Sequence, residues 1–410
     1  MNNEKQNIVP VLRFPEFLKN WEMKNLGDCI EIKGRIGYRG YTVNDIVKKG
    51  EGAIAMSPSN IDVSGILSFK KTTFISWFKY EESPEIMLRD GYTVLVKTGS
   101  SFGKAAYIKD LPEKSTINPQ LVVLKPISIN DVYLFYLVSH SNIQNQISNT
   151  IVGGAIPTLS QTSLSKFRIS IPEAKEQQKI ANCLSSLDNL ISAETDKLEH
   201  LKDHKKGLLQ QLFPANGETK PQFRFPEFEN DGDWEDKMIS ELANRFDNLR
   251  KPITASDRIE GTTPYYGANG IQSYIEGYTH NGEFILVAED GANDLKNYPV
   301  QYATGKIWVN NHAHVLQAKI DICNNLFLMY AIQNANIEPY LVGGGRAKLN
   351  ANIMMKINLL APELLEQQKI ADCLSSADDL IASQTTKIRN FKKHKKGLMQ
   401  QLFPNTNNVK

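Results

Sequence analysis

EQQKIANCLSSLDNLISAETDKLEHLKDHKKGLLQQLFP, residues 176–214, returns as EQQKIADCLSSADDLIASQTTKIRNFKKHKKGLMQQLFP at residues 366–404. At this offset of 190, 26 of the 39 positions are identical. Apolar residues recur at steps of four and three: Ile180, Leu184, Leu187, Ile191, Leu198 and Leu201 in the first copy, Ile370, Leu374, Ile381, Ile388 and Phe391 in the second. That spacing predicts the seam of a coiled coil. No Gly or Pro interrupts either copy before Gly207 and Gly397, and Pro214 and Pro404 end them, so each predicts one helix roughly 60 Å long at about 1.5 Å per residue. A stripe this narrow needs a partner helix, and the other copy supplies one. The polar seam positions Glu194 with Gln384 and Lys205 with Lys395 are of the kind that sets register.

A second repeat frames the first. RFPEF stands at residues 13–17 and 224–228, followed by Trp21 and Trp234. Two tandem units result, and the boundaries fall at an N-terminal arm (1–20), a globular segment (21–172), a central helix (173–214), a linker with the second RFPEF (215–233), a second globular segment (234–361), a C-terminal helix (362–404) and a tail (405–410). The RFPEF offset is 211 against 190 for the helices, so the first globular segment carries 21 extra residues. Apart from their exits, IVGGAIPTLS and LVGGGRAKLN, the two segments look unrelated.

Short strands in GAIAMSPSNI, GYTVLVKTGS, KAAYIKD and INPQLVVLKP, then a helix near 131–146, make the first segment mixed α/β. The second has a turn-rich TTPYYGANG, strands in EFILVAEDG, QYATG and KIWVNNHAHVLQA, and a helix near 324–334. A linker of about ten residues cannot run back along a rod at about 3.3 Å per residue and also place a domain. The expectation is an α+β protein in which two α/β domains are separated by an antiparallel coiled coil of two long helices, pseudo-twofold, with RFPEF at Arg13 beside the end of the second helix.

The chain has 410 residues, 41% hydrophobic and 22% charged, with a net charge of +2. It has neither an apolar leader at its start nor a run long enough to span a bilayer, so a cytoplasmic address and no membrane partner are expected. Cys29, Cys183, Cys323 and Cys373 are scattered, which excludes a disulfide framework or a zinc spacing. Enzyme motifs are scarce too. GSSFGKA at residues 99–105 lacks one residue between its glycines and ends in Ala where a phosphate loop needs Ser or Thr. His312 and His314 alternate, but a hydrogen-bonded structural role is favoured over a metal site. No catalytic residue and no metal ligand is assigned.

Side chains suited to base edges and phosphates do recur. In the first segment they are Lys33, Arg35, Tyr38, Arg39, Lys97, Ser100, Lys104, Asn118 and Gln120; in the second, Tyr265, Tyr266, Asn269, Asn293, Asn310, Asn311, His312, Arg346 and Lys348. Arg reads guanine and Asn or Gln reads adenine through paired hydrogen bonds, while Lys, Ser and Thr hold phosphates. Arg35 or Arg39, and Arg346, are candidates for guanine.

The doubled RFPEF, KGRIGYRG at 33–40, GKIWVNNHAHVL at 305–316, KLN at 348–350, and above all EQQKIA with KKGLLQQLF or KKGLMQQLF together resemble the specificity subunits of Type I restriction-modification systems. The resemblance implies two target-recognition domains, each reading one part of a bipartite site on double-stranded DNA, and helices that form the spacer and dock two modification subunits. In that family the partner subunits bind S-adenosylmethionine and methylate adenine at N6, and restriction subunits hydrolyse ATP with Mg²⁺ and cleave DNA. This chain itself is then non-catalytic and binds no cofactor. The contrasting reading is a coiled-coil scaffold without DNA specificity, which explains the helices but not two dissimilar domains with Arg-, Asn- and Tyr-rich loops.

Overall fold

The computed structural model describes residues 9–62, 65–151, 158–343 and 347–404, the Tyr38 side chain excepted. The chain divides into two compact units, residues 1–194 with 387–410 and residues 195–386. Unit 1 runs β1 (Glu22–Asn25), β2 (Ile30–Gly34), β3 (Ile46–Val47), β4 (Gly52–Met56), β5 (Thr73–Ser76), α1 (Trp77–Glu81), β6 (Thr93–Val96), β7 (Ala105–Tyr107), β8 (Ser115–Ile117), β9 (Leu121–Pro126), α2 (Asp131–Ser139), α3 (Ser141–Ser148), α4 (Gln161–Ser165) and β10 (Arg168–Ile171), then enters α5 (Ala174–Leu212). Unit 2 takes the second half of α5, β11 (Glu235–Met238), α6 (Ile239–Leu242), β12 (Ala243–Arg245), β13 (Glu260–Gly267), β14 (Gly270–Ile275), β15 (His280–Ala288), β16 (Val300–Val309), β17 (Ala313–Ala318), α7 (Asn325–Asn334), α8 (Ala351–Met354), β18 (Asn358–Ala361) and the first half of α9 (Leu364–Leu402).

In each unit a half of α5 lies antiparallel to a half of α9. Asp188 meets Lys395 at 2.5 Å and Glu194 meets Lys387 at 2.6 Å in unit 1, so one helix descends as the other rises. In unit 2 the pair is Lys205 with Asp378, 2.6 Å. Lys205 and Lys395 therefore neutralise carboxylates across the helix pair, which is how a polar seam position fixes register. The apolar seam is more than a two-helix contact. Ile180 and Leu184, 1% and 0% exposed, join the core that holds Trp21, Tyr133 and Phe403. Ile370 and Leu374, 1% and 0% exposed, join that of Trp234, Phe327 and Phe213. Ile191 and Ile388 are buried, and Leu187, Leu198, Leu201, Ile381 and Phe391 only half-buried.

The repeated motif is a socket for the globular domain. In unit 1, Arg13 of RFPEF donates two 2.8 Å bonds to Glu176, which is 1% exposed. Gln177 accepts the Asn130 backbone N–H (2.9 Å), Gln178 accepts from the Asn130 side chain (2.9 Å), and Lys179 pairs with Glu16 (3.3 Å). In unit 2 the same bonds join Arg224 to Glu366 (2.8 and 2.7 Å), Asn324 to Gln367 (3.0 Å) and Gln368 (2.7 Å), and Lys369 to Glu227 (3.0 Å). Hydrogen bonding to its glutamate raises each arginine's pKa above the ordinary value. At the other side of the socket Phe403 stacks on Tyr133 with centroids 5.3 Å apart, as Phe213 stacks on Phe327 at 5.4 Å. Leu12 N–H donates to Gln401 O and Phe223 N–H to Gln211 O, 2.9 Å each, so each RFPEF sits beside a helix end as its repeat predicts.

Several elements differ from their sequence reading. The helix near 131–146 is two helices: His140 is extended (φ −76°, ψ 150°), and its Nδ1 accepts from the Asn142 N–H that starts α3. TTPYYGANG is mostly strand, with only Ala268–Asn269 turning between β13 and β14. KIWVNNHAHVLQA splits at 310–312, whereas QYATG continues through Gly305 (φ +75°) into KIWV as one strand.

The two globular domains, dissimilar in sequence, share a strand order. In unit 1 the antiparallel order β2-β9-β6-β7 is followed by β8, parallel to β4, which pairs with β5. In unit 2 the antiparallel order β12-β17-β15-β16 is followed by the end of β16, parallel to β13, which pairs with β14. Strand β16 does the work of β7 and β8 together. Unit 1 is longer because a connection over 57–72 replaces the Ala268–Asn269 turn, and β3 and α1 are added.

Candidate nucleic-acid interface

The shared topology brings corresponding connections together in each unit. Asn118 and Asn310, 8% and 3% exposed, each place the side-chain oxygen on the backbone N–H two residues on, Gln120 at 3.0 Å and His312 at 2.8 Å. Their own N–H groups donate to Met56 O (2.8 Å) and Tyr266 O (3.1 Å). The carbonyls of Gln120 and His312 accept from Lys97 N–H (2.8 Å) and Glu289 N–H (2.9 Å). Lys97 O and Glu289 O in turn accept from Leu159 N–H (2.8 Å) and Leu349 N–H (2.7 Å). Two residues further on, Gly99 and Gly291 both turn through positive φ, +100° and +70°. A β-branched or bulky side chain is strained there.

Around this frame the side chains differ. In unit 2 a cleft of about 350 Å³ is lined by Ala268, Asn269, Gly270, Ile271, Gln272, Asp290, Gly291 and His312. Asn269 ties its walls, donating to Gly291 O (2.9 Å) and accepting from Asn293 N–H (3.0 Å). His312 Nδ1 lies 2.5 Å from Asp290 Oδ1. Beneath the cleft, Asp247, Glu289 and His314 stand close enough to hold an ion. Cations of the protein already satisfy them: Arg250 reaches Glu289 at 2.6 Å and Lys348 reaches it at 2.9 Å, while His314 bonds Asp247 (2.7 Å) and Leu349 O (2.8 Å). Burial pushes Asp247 and Glu289 up, but these partners hold both below the usual carboxylate range. In unit 1 the corresponding interior holds Lys97, whose pKa burial lowers.

The sequence candidates sort by position. Asn118, Gln120, Lys97 and Ser100 in unit 1, and Asn269, Asn293, Asn310, Asn311, His312 and Lys348 in unit 2, lie on the converging connections. Lys104 reaches back to Ile61 O (3.2 Å), so the lysine of GSSFGKA braces the chain at Ile61. Arg35 is a correction: only 5% exposed, it donates to Ile117 O, Thr116 Oγ1 and Arg39 O, and is a bracing residue of the KGRIGYRG loop rather than a base reader. Arg39 donates to Glu82 O (3.0 Å), and Lys33 pairs with Glu31 (3.2 Å). Tyr265 and Tyr266, 1% and 9% exposed, are core residues, Tyr265 carrying Arg258 over its ring at 4.0 Å. The Tyr38 side chain and Arg346 lie outside the described residues. Gln272 and Asp290 were missed, because only the β13–β14 pairing and the β15–β16 connection bring them to the cleft.

The family model described as Type I restriction modification DNA specificity domain matches residues 18–203 and 231–392. The chain belongs to this family. A putative type I restriction enzyme specificity subunit of Haemophilus influenzae is 47% identical over 140 residues, 34% of this chain and 36% of that one. The putative MjaX specificity subunit of Methanocaldococcus jannaschii is 25% identical over 426 residues, 96% of this chain and 95% of that one. The fold matches the Type I restriction-modification S subunit of M. genitalium (TM-score 0.63, 14% identity, 97% of this chain and 100% of that one). As a specificity subunit with DNA-recognition domains, it belongs to a non-catalytic family. Among the described residues no helix is long and apolar enough to cross a membrane.

Proposed function

We propose that the chain reads a bipartite site on double-stranded DNA, one part with each recognition domain, and docks two modification subunits and, through them, restriction subunits. The observation that carries the reading is the pair of matching frames: identical backbone bonding around Asn118 and Asn310, with different side chains mounted on each. Two unlike half-sites are what such a pair would read. S-adenosylmethionine, ATP and Mg²⁺ belong to the partner subunits, so the assembled complex would methylate adenine at N6 and cleave DNA while this chain supplies the address. A cytoplasmic address follows from that role.

Mapping N6-methyladenine in a host strain with and without the gene tests this: a motif of two unlike specified parts around an unspecified spacer should depend on the chain. Binding of the full complex to duplex DNA should weaken as log-linear in salt, as counterion release requires. Salt-independent binding would favour the scaffold reading.

A further inference from the structure

The two frames do more than match, because they mount one side chain each in the same place with a defined hydrogen-bonding sense. Resting on the DNA-reading function above, we propose that Gln120 and His312 are the corresponding base-discriminating positions of the two domains, Gln120 as a donor and His312 as an acceptor.

Three observations carry this. Both residues sit two positions after a buried asparagine that fixes their N–H, and both have their carbonyl held by the next strand, so the side chain leaves a rigid backbone. Such preorganisation is what a specificity-determining contact needs. Both side chains reach solvent: Gln120 is exposed, and His312, 37% exposed, lines the cleft. Each also has one polar atom occupied by the protein. Gln120 Oε1 accepts from Asn118 Nδ2 (3.1 Å), which leaves its Nε2 hydrogens to donate. His312 Nδ1 lies 2.5 Å from Asp290 Oδ1, where a ring N–H donates to the carboxylate, and in the neutral ring that tautomer leaves the lone pair on Nε2. Neither Gln120 Nε2 nor His312 Nε2 has a hydrogen-bond partner among the described residues.

The chemistry then differs between the half-sites. A lone donor matches the major-groove acceptors, guanine O6 or N7, adenine N7 or thymine O4; a lone acceptor matches the amine of adenine N6 or cytosine N4. Asp290 is a positioning residue for His312, with its counterpart Thr98 leaving Gln120 to be oriented by Asn118 instead.

The test is N6-methyladenine mapping in host strains whose sole copy carries Gln120→Glu, Gln120→Leu or His312→Leu, beside the wild type. Gln120→Glu, which exchanges the donor for an acceptor, should move the preference at one base pair of one half-site towards an amine-bearing base. Gln120→Leu should cut discrimination at that same base pair about tenfold, and His312→Leu should do so at one base pair of the other half-site. Each variant should leave the other half-site unchanged. An unaltered motif at wild-type methylation, or methylation lowered evenly with no change in base preference, overturns the proposal. Failure of the wild-type chain to direct any bipartite motif sinks the DNA-reading function itself, and is seen separately in the same experiment.

Discussion

The sockets and the recognition domains repeat in opposite ways. The two sockets are alike because identical side chains make identical bonds: Arg13 to Glu176 and Arg224 to Glu366, Tyr136 to Asp188 and Tyr330 to Asp378 at 2.6 Å each. The two recognition frames are alike because backbone groups and one asparagine make the bonds, which leaves neighbouring side chains unconstrained. Structure held by side chains repeats in sequence, and structure held by backbone need not. A chain that grips two domains alike while leaving their exposed side chains free to differ uses each means where it fits.

The comparison breaks first at the aromatic plugs. Phe403→Ala and Phe213→Ala should each destabilise their own unit by about 4 kcal/mol, as large core truncations do, read as lost hydrogen-exchange protection confined to that unit. Unequal losses would mean that the sockets are alike in sequence only. Arg13→Ala and Arg224→Ala should follow at about 3 kcal/mol, because each leaves a carboxylate that is 1% exposed without its partner. Lysine at either position should restore only part, lacking the paired donors.

A difference between the units sharpens the comparison. His140 is buried against Phe403, its Nε2 has no partner among the described residues, and burial lowers its pKa to about 4. Between that value and the ordinary 6.5, the unfolded chain binds the extra proton, so this contribution is complete above pH 6.5 and is lost as pH falls towards 4. The loss is on the order of 3 kcal/mol. Replacing His140 with Asn should flatten the melting-temperature decline of unit 1 over that interval. Tyr136→Phe and Tyr330→Phe come last, at about 2 kcal/mol each for a hydrogen bond to a charged acceptor, measured by denaturant titration.

Much of this was legible from the chain alone. The two long helices, their antiparallel pairing and the neighbouring RFPEF segments follow from two offsets and a heptad. The function of EQQK was hidden, since a helix start and a socket have the same composition until Arg13 and Asn130 are brought to it. The shared strand order was hidden for a different reason: strand pairing is written in the backbone, and the 57–72 connection stretches unit 1 out of any alignment. Arg35 is ambiguous in sequence because a buried guanidinium holding carbonyls and an exposed one reading guanine have the same local sequence, KGR. Asn118 and Asn310 carry amides of the kind that reads adenine, and in the structure their side-chain oxygens hold turns.

The central claim is that each domain is an independent reader built on its own asparagine turn. N6-methyladenine mapping in strains carrying Asn118→Ala or Asn310→Ala tests it most directly. Each variant should relax the motif on one side of the spacer and leave the other side as it is in the wild type. Relaxation of both sides by either substitution, or of the same side by both, would contradict it.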